Sequence, residues 1–236
     1  MKKGESKGLL AAWTDIDNDY RTEFEKWHNC EHIPERVSIP GFHVGHRYRG
    51  IGKAPEFMFL YETSNSKVLR SEAYLNRLNN PTPWTQQALA HFKNSFRTIY
   101  TLLTSTGKRP SIVGPYILAC KFDCESGEEQ KIIQWFRGEY LPQISLVQGV
   151  YRSRLYESVP ELSYIQTEER KIHGMGPSVQ RFLTLYEISS LDLLTNKAWE
   201  KIYMGNKQNN KLQKQIKNIQ QELYWLHFVM YAPHTK

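Results

Sequence analysis

The sequence predicts an α+β protein made of two tandem β-α-β-β-α-β units that close on each other as an intrachain pseudo-dimeric barrel. Three observations carry this. Trp27-x3-Glu31-His32-Ile33-Pro34, then Gly41-Phe42 and Tyr48, returns as Trp135-x3-Glu139-Tyr140-Leu141-Pro142, then Gly149-Val150 and Tyr156, each 108 residues later. Phe57-Met58-Phe59-Leu60-Tyr61-Glu62 returns as Phe182-Leu183-Thr184-Leu185-Tyr186-Glu187 at a spacing of 125, which puts about 17 extra residues (125 − 108) into the second copy between Tyr156 and Phe182. Strand-like and helix-like periodicities also succeed each other in one order in both copies. A repeat of this length is the size of a small domain and too long for a solenoid unit.

In the first copy, the apolar run Gly8 to Asp15 is a strand. Asp19 to Glu35 is a helix, with Tyr20, Phe24, Trp27 and Glu31 at helical spacing and Asp17 or Asp19 as its cap. Pro34 suits the helix end, Pro40-Gly41 a turn, and Phe42 to Arg49 an alternating strand. Gly50 to Pro55 is a connection into the strand Phe57 to Glu62. Ser71 to Leu78 begins a second helix, interrupted at Asn79-Asn80-Pro81-Thr82-Pro83 and resumed from Trp84 to Phe92; Ser95 to Leu103 closes the unit as a strand. The second copy reads as strand Tyr116 to Phe122, helix Glu128 to Ile144, strands Val150 to Tyr156 and Phe182 to Ile188, helix Leu191 to Gln221 and strand Leu223 to Tyr231. This is the ferredoxin-like order twice, with units at 1–107 and 108–236 joined by a linker from Thr104 to Gly114. Helices on one face of a four-stranded sheet leave the other face bare, and two copies in one chain can cover each other.

Of 236 residues, 40% are hydrophobic and 13% aromatic, a globular composition whose aromatic surplus suits pockets for flat or apolar ligands. No apolar run is long enough for a signal-peptide core or a membrane span, so a cytoplasmic protein without a membrane partner is expected. The net charge of +7 is partly local: Lys197, Lys201, Lys207, Lys211, Lys214 and Lys217 thread a Gln/Asn-rich stretch and read as the solvated face of a helix, a possible partner surface. No zinc-finger spacing, RNP-like motif or arginine cluster accompanies them, so nucleic acid is not an expected partner. Cys30, Cys120 and Cys124 are odd in number and do not repeat, which argues against a disulfide framework. On a strand, Cys120 and Cys124 share a face about 13 Å apart, too far for a joint metal site.

Trp27-His28-Asn29-Cys30-Glu31-His32-Ile33-Pro34-Glu35-Arg36, Pro40-Gly41-Phe42, Arg47-Tyr48-Arg49, Ala73-Tyr74-Leu75 and Asn80-Pro81-Thr82-Pro83-Trp84-Thr85 resemble the EthD-like branch of the dimeric α+β barrel superfamily. The resemblance covers nearly all of the first half and extends more weakly into the second. It implies a fused barrel and leaves the reaction open, since relatives include cofactor-free oxygenases, isomerases, polyketide cyclases and haem enzymes. It also places a histidine shortly before a proline, here His32, in the pocket wall.

His28 and His32 stand four apart on one helix, yet lack the intervening glutamate position of a metalloprotease helix, so no metal is expected. Glu31 recurs as Glu139 and reads as an anchor of the helix end through hydrogen bonds to backbone groups of the following loop. His32 has Tyr140 as its counterpart, which leaves the titratable imidazole in the first half alone. Alternation after Gly41 puts His46 and Tyr48 on the face of Phe42 and Val44, expected to look into the helix-covered cavity with Tyr61 and His32. The expected function is therefore a cofactor-independent enzyme acting on a small aromatic or polyketide-like molecule by acid/base chemistry of the isomerase, cyclase or oxygenase type. His32 or His46 would be the acid/base, Tyr48 and Tyr61 the oxyanion donors, Trp27, His28, Phe42, Trp84 and His91 the substrate-binding residues, with Trp84 and His91 at the mouth. A haem would need an axial ligand, for which His32 and His91 are the candidates. The alternatives are a non-catalytic ligand-binding or stress-related barrel and a partner-binding protein using the Lys-rich helix; larger homo-oligomers are compatible with all three.

Overall fold

A computed structural model describes residues 5–107, 113–174, 176–203 and 213–233. Eight antiparallel strands, β1 (Gly8–Ile16), β2 (Phe42–Ile51), β3 (Phe57–Thr63), β4 (Phe92–Gly107), β5 (Tyr116–Cys124), β6 (Val150–Ser158), β7 (Phe182–Ile188) and β8 (Ile216–Tyr231), close a barrel in the order β1-β3-β2-β8-β5-β7-β6-β4. Each copy forms one half of the barrel. The halves are joined by β2 against β8 and β4 against β6. β4 and β8 run 16 residues each because their first parts complete their own half and their second parts cross to the other. Ordered backbone hydrogen bonding along β8 begins at Ile216, so no single helix spans Leu191 to Gln221. Lys197 and Lys201 lie on a short helix, α9 (Lys197–Ile202), Lys217 lies on β8 beside Glu125, and Lys207 and Lys211 lie outside the described residues. Lys214 lies in a short 3-10 turn (Gln213–Gln215), so the described residues do not form the Lys-rich helix expected over Leu191 to Gln221.

The first helical span is three pieces: α1 (Arg21–Trp27), a π-helical turn at His28–His32, and α2 (Ile33–Val37). The second copy repeats it as α5 (Glu129–Trp135), a π-turn at Phe136–Tyr140 and α6 (Leu141–Ser145). α3 (Glu72–Asn79) and α4 (Pro83–Leu89) complete the first layer. Their caps are Ser71 and Thr82, whose hydroxyls accept from Tyr74 N and Thr85 N. α1 has no side-chain cap; Asp17 instead pairs with His91 and Lys93. The inserted residues form α7 (Pro160–Ser163) and α8 (Glu168–His173). Among the described residues no helix is long and apolar enough to cross a membrane.

Three cores result. Leu9, Ala11, Trp13, Met58, Leu60, Ile117, Ala119, Leu183 and Leu185 fill the barrel interior, and one further core lies between each half's sheet and its helices. Cys120 and Cys124 pack in the second of these, and all three cysteines are free thiols. At one end of the interior, Glu62 and Glu187, equivalent positions of the two copies, are bridged by Arg152 and Arg154, at 3.1 and 2.7 Å from Glu62 and 2.6 and 2.8 Å from Glu187. The first copy has Val44 and His46 where these arginines stand, so one pair of guanidiniums neutralises carboxylates from both halves. Two carboxylates facing each other without them would repel in a low-dielectric interior.

Candidate functional site

A β-bulge decides which side chains meet in the first half. The pairing of β2 with β3 shifts between Phe42 and Val44, so Phe42 faces the helices while Val44 turns into the barrel. Every later residue of β2 is inverted relative to strict alternation. Arg47 lies on the helix side, and His46 and Tyr48 point into the interior, where their rings stack 5.8 Å apart near the Glu62/Arg154 cluster. His46 and Tyr48 are therefore not pocket residues, which corrects their assignment as acid/base and oxyanion donor. β6 carries the matching bulge between Val150 and Arg152.

On the helix side of β1 to β4 lies a cavity of about 60 Å³, walled by Leu10, Ala12, Phe42, Phe59 and Phe92 and by the polar groups of His28, His32, Arg36, Tyr61, Tyr74 and Arg97. The insertion supplies the rest of the wall: Ser163, Thr167, Glu169, Arg170 and His173. The insertion is fixed by Arg36, whose guanidinium pairs with Glu169 in a nearly fully buried contact, by Ile99 N donating to Ser163 Oγ (2.9 Å), and by Arg97 N donating to Gly176 O (2.9 Å). The second half thus supplies part of the first half's pocket wall.

His28 and His32 lie at the two ends of the π-turn, and their rings stack at 5.4 Å. Arg47 Nη1 is 3.2 Å from His28 Nδ1, and a guanidinium can only donate, so Nδ1 is the acceptor and the proton sits on Nε2. Nε2 then donates to Tyr61 Oη at 3.4 Å, which leaves the phenol hydrogen of Tyr61 available to the cavity. His32 lies 6.4 Å from the Tyr61 ring, and its Nδ1 is buried with no hydrogen-bond partner among the described residues. Burial, then Arg47 and Arg36, holds His28 well below the usual histidine range; burial, then Arg36, does the same to His32. His173 is pushed down to about 3 by burial and then by Arg97 and Arg170. All three are neutral near pH 7.

The remaining sequence candidates serve the frame. Trp27 is buried behind His32 at 4.5 Å and donates through Nε1 to Thr85 Oγ1. Glu31 accepts from Thr82 and Thr85 hydroxyls at 2.6 and 2.8 Å, so it ties the π-turn to α4 through side chains where backbone groups were expected. Its repeat Glu139 is exposed. Trp84 packs at the edge of the core, and His91 stacks on Tyr20 at 3.8 Å and pairs with Asp17; neither lines the cavity, which corrects their placement at its mouth. In the second half the equivalent space is aromatic: Phe136, Tyr140 and Tyr186 stand for His28, His32 and Tyr61, with Trp199 stacked on Tyr203 at 4.7 Å. Among the described residues no three His, Cys, Asp or Glu side chains are grouped to hold a metal ion.

Neither a protein-family profile nor a curated protein matches the sequence. Solved structures do. An anthrone oxidase-like protein superposes with a TM-score of 0.63 at 8% identity, over 99% of this chain and 96% of its own. A candidate monooxygenase of Fusobacterium nucleatum gives 0.62 at 7% identity over 97% and 96%. A variant chlorite dismutase of Candidatus Nitrospira defluvii gives 0.58 at 13% identity over 95% and 92%. At these identities the likeness shows the fold, that of dimeric α+β barrels, spanned here by one chain. It also corrects the expectation that no cofactor is involved, because chlorite dismutases are haem-binding proteins. Neutral imidazoles such as His32 have the donor chemistry of an axial ligand. The space does not suit the group: about 60 Å³ is far below the several hundred Å³ of ordinary cofactor pockets, and the second half's equivalent is filled by Trp199 and Tyr203.

Proposed function

We propose that the first-half cavity is the active site of an enzyme of the oxygenase type that acts on a small aromatic molecule, and that the chain belongs with the EthD-like barrels its first half resembles. The observation that carries this reading is the pairing of Tyr61, whose hydrogen is freed for the cavity by the Arg47 and His28 relay, with the neutral His32 opposite. Neutral His32 takes a proton from an acidic C–H or O–H of the substrate, and Tyr61 donates to the oxygen on which negative charge develops. The apolar wall of Phe42, Phe59 and Phe92 excludes water and strengthens both interactions. The cavity is smaller than the roughly 150 Å³ that encloses a benzene, so this reading requires α7 and α8 to move outward, against the Arg36–Glu169 pair, when a substrate ring enters.

Oxygen uptake with single-ring phenols and with anthrone tests this. Saturable uptake with stoichiometric product is expected. Absence of turnover across that set, with ligand density confined to other parts of the barrel, would overturn it.

A further inference from the structure

We propose that this cavity selects an anionic substrate, a small aromatic ring bearing a carboxylate, and that Arg97 is the residue that recognises the charge. The inference rests on the reading of the cavity as the substrate site. Three guanidiniums, Arg36, Arg97 and Arg170, line it against one carboxylate, Glu169, which leaves a charge of +2 (three minus one). The balance is uneven. Arg36 takes both Glu169 and Glu35, the latter at 2.8 Å, and lies over the Tyr74 ring. Among the described residues, neither Arg97 nor Arg170 has a carboxylate within ion-pair distance.

Arg170 spends Nη1 on the carbonyls of Ser163 and Ile165, at 2.7 and 3.3 Å, and so holds α7 against α8. Arg97 donates Nη2 to Tyr74 Oη at 3.0 Å. Arg97 is half-buried and lines the cavity, and its Nε and Nη1 have no hydrogen-bond partner among the described residues, so donors remain free for an anion. A carboxylate takes such donors in charge-assisted hydrogen bonds, which are the stronger kind.

The imidazoles cannot play the anion's part or neutralise the site, since they are neutral. Arg97 and Arg170 are among the groups that depress His173, and Arg36 depresses His32. A bound anion reverses that field and makes His32 a stronger base when substrate is present. The position is particular to this half: Arg97 pairs across from Ala12, whose small side chain leaves room above it, and the matching pair in the second half is Gln221 opposite Cys120. The apolar wall around Leu10, Ala12 and Phe59 accepts the ring.

Binding of benzoate, benzyl alcohol and inorganic phosphate to the full chain, by calorimetry and thermal shift, tests the inference apart from turnover. Benzoate is expected to bind at least about 10-fold more tightly than benzyl alcohol, the scale of one charge-assisted contact. Arg97→Gln should weaken benzoate by about 10-fold or more and leave benzyl alcohol unchanged, with Arg97→Lys, which keeps the charge and the fold, falling between. His32→Gln should still bind benzoate. Equal binding of benzoate and benzyl alcohol, or benzoate affinity unchanged in both Arg97 variants, overturns the inference, as does phosphate binding as tightly as benzoate. Arg97-dependent benzoate binding without turnover of any substrate would sustain this inference and overturn the enzymatic reading alone.

Discussion

Acidification should destabilise this protein steeply between pH 6 and 5, and the slope can be worked from the cavity wall. His28, His32 and His173 have folded-state pKa values held below the unfolded value of about 6.5 by burial and neighbouring guanidiniums. For a depressed histidine the unfolded chain binds more protons, so its contribution is fully present above about pH 6.5 and is lost as pH falls toward the folded pKa. Each such group contributes about 1.4 kcal/mol per pH unit, or about 4 for three. Glu169, pushed up by burial against the pull of Arg36, works the other way and lowers that slope. The cavity groups together therefore give at most about 4 kcal/mol per pH unit, a large share of a total stability of roughly 5 to 15 kcal/mol. His46, buried in the barrel interior and also held below the usual histidine range, adds in the same direction. Urea unfolding at half-unit steps from pH 7 to 5 reads the slope directly. His173→Gln should flatten it by about 1.4 kcal/mol per pH unit. A pH-independent midpoint, or stability rising toward pH 5, would refute the burial of neutral imidazoles on which the site is built.

Other expectations follow from single contacts. Arg154→Met should cost about 3 kcal/mol or more in urea titration, because Glu62 and Glu187 then lose one of the two guanidiniums that bridge them; an unchanged midpoint would contradict the bridging role. Glu31→Ala removes the acceptor of two threonine hydroxyls and should cost about 2 kcal/mol while α4 loosens, seen as faster amide exchange there. Gly149→Ala places a methyl group 2.6 Å from Ser189 Oγ at a φ of +96° and should destabilise by at least about 1 kcal/mol; a neutral result would mean the turn relaxes freely. Residues 1–107 expressed alone should aggregate or self-dimerise, since β2 and β4 lose β8 and β6 as partners and the barrel interior is bared; a dilute folded monomer would count against the fused barrel.

The repeat made the architecture legible, because a buried core imposes the same apolar spacing on both copies. It also hid what the copies do not share. Phe42, Val44, His46 and Tyr48 alternate perfectly in sequence, yet the bulge after Phe42 reverses the last three, and a bulge leaves no compositional mark in this stretch. β8 was obscured because its first part, Ile216 to Glu222, is polar on its outer positions and borders a Lys- and Gln-rich stretch. Of the cavity, His28, His32, Phe42 and Tyr61 could be found from the first helix and strands. Arg97, Glu169, Arg170 and His173 could not, because nothing in the spacing says that an insertion in the second copy folds over the first. The one available signal was the insertion itself, a polar segment kept by one copy only.

The central claim, that the chemistry lives in the first-half cavity and turns on His32, is tested most directly by comparing His32→Gln with Tyr140→Phe at the equivalent position of the other half. In steady-state oxygen uptake with a saturating phenolic substrate, His32→Gln should lose about 10²- to 10⁴-fold in kcat with unchanged unfolding midpoint at pH 7.5, and Tyr140→Phe should stay within about twofold. Equal losses in the two variants, or full activity in His32→Gln, would contradict it.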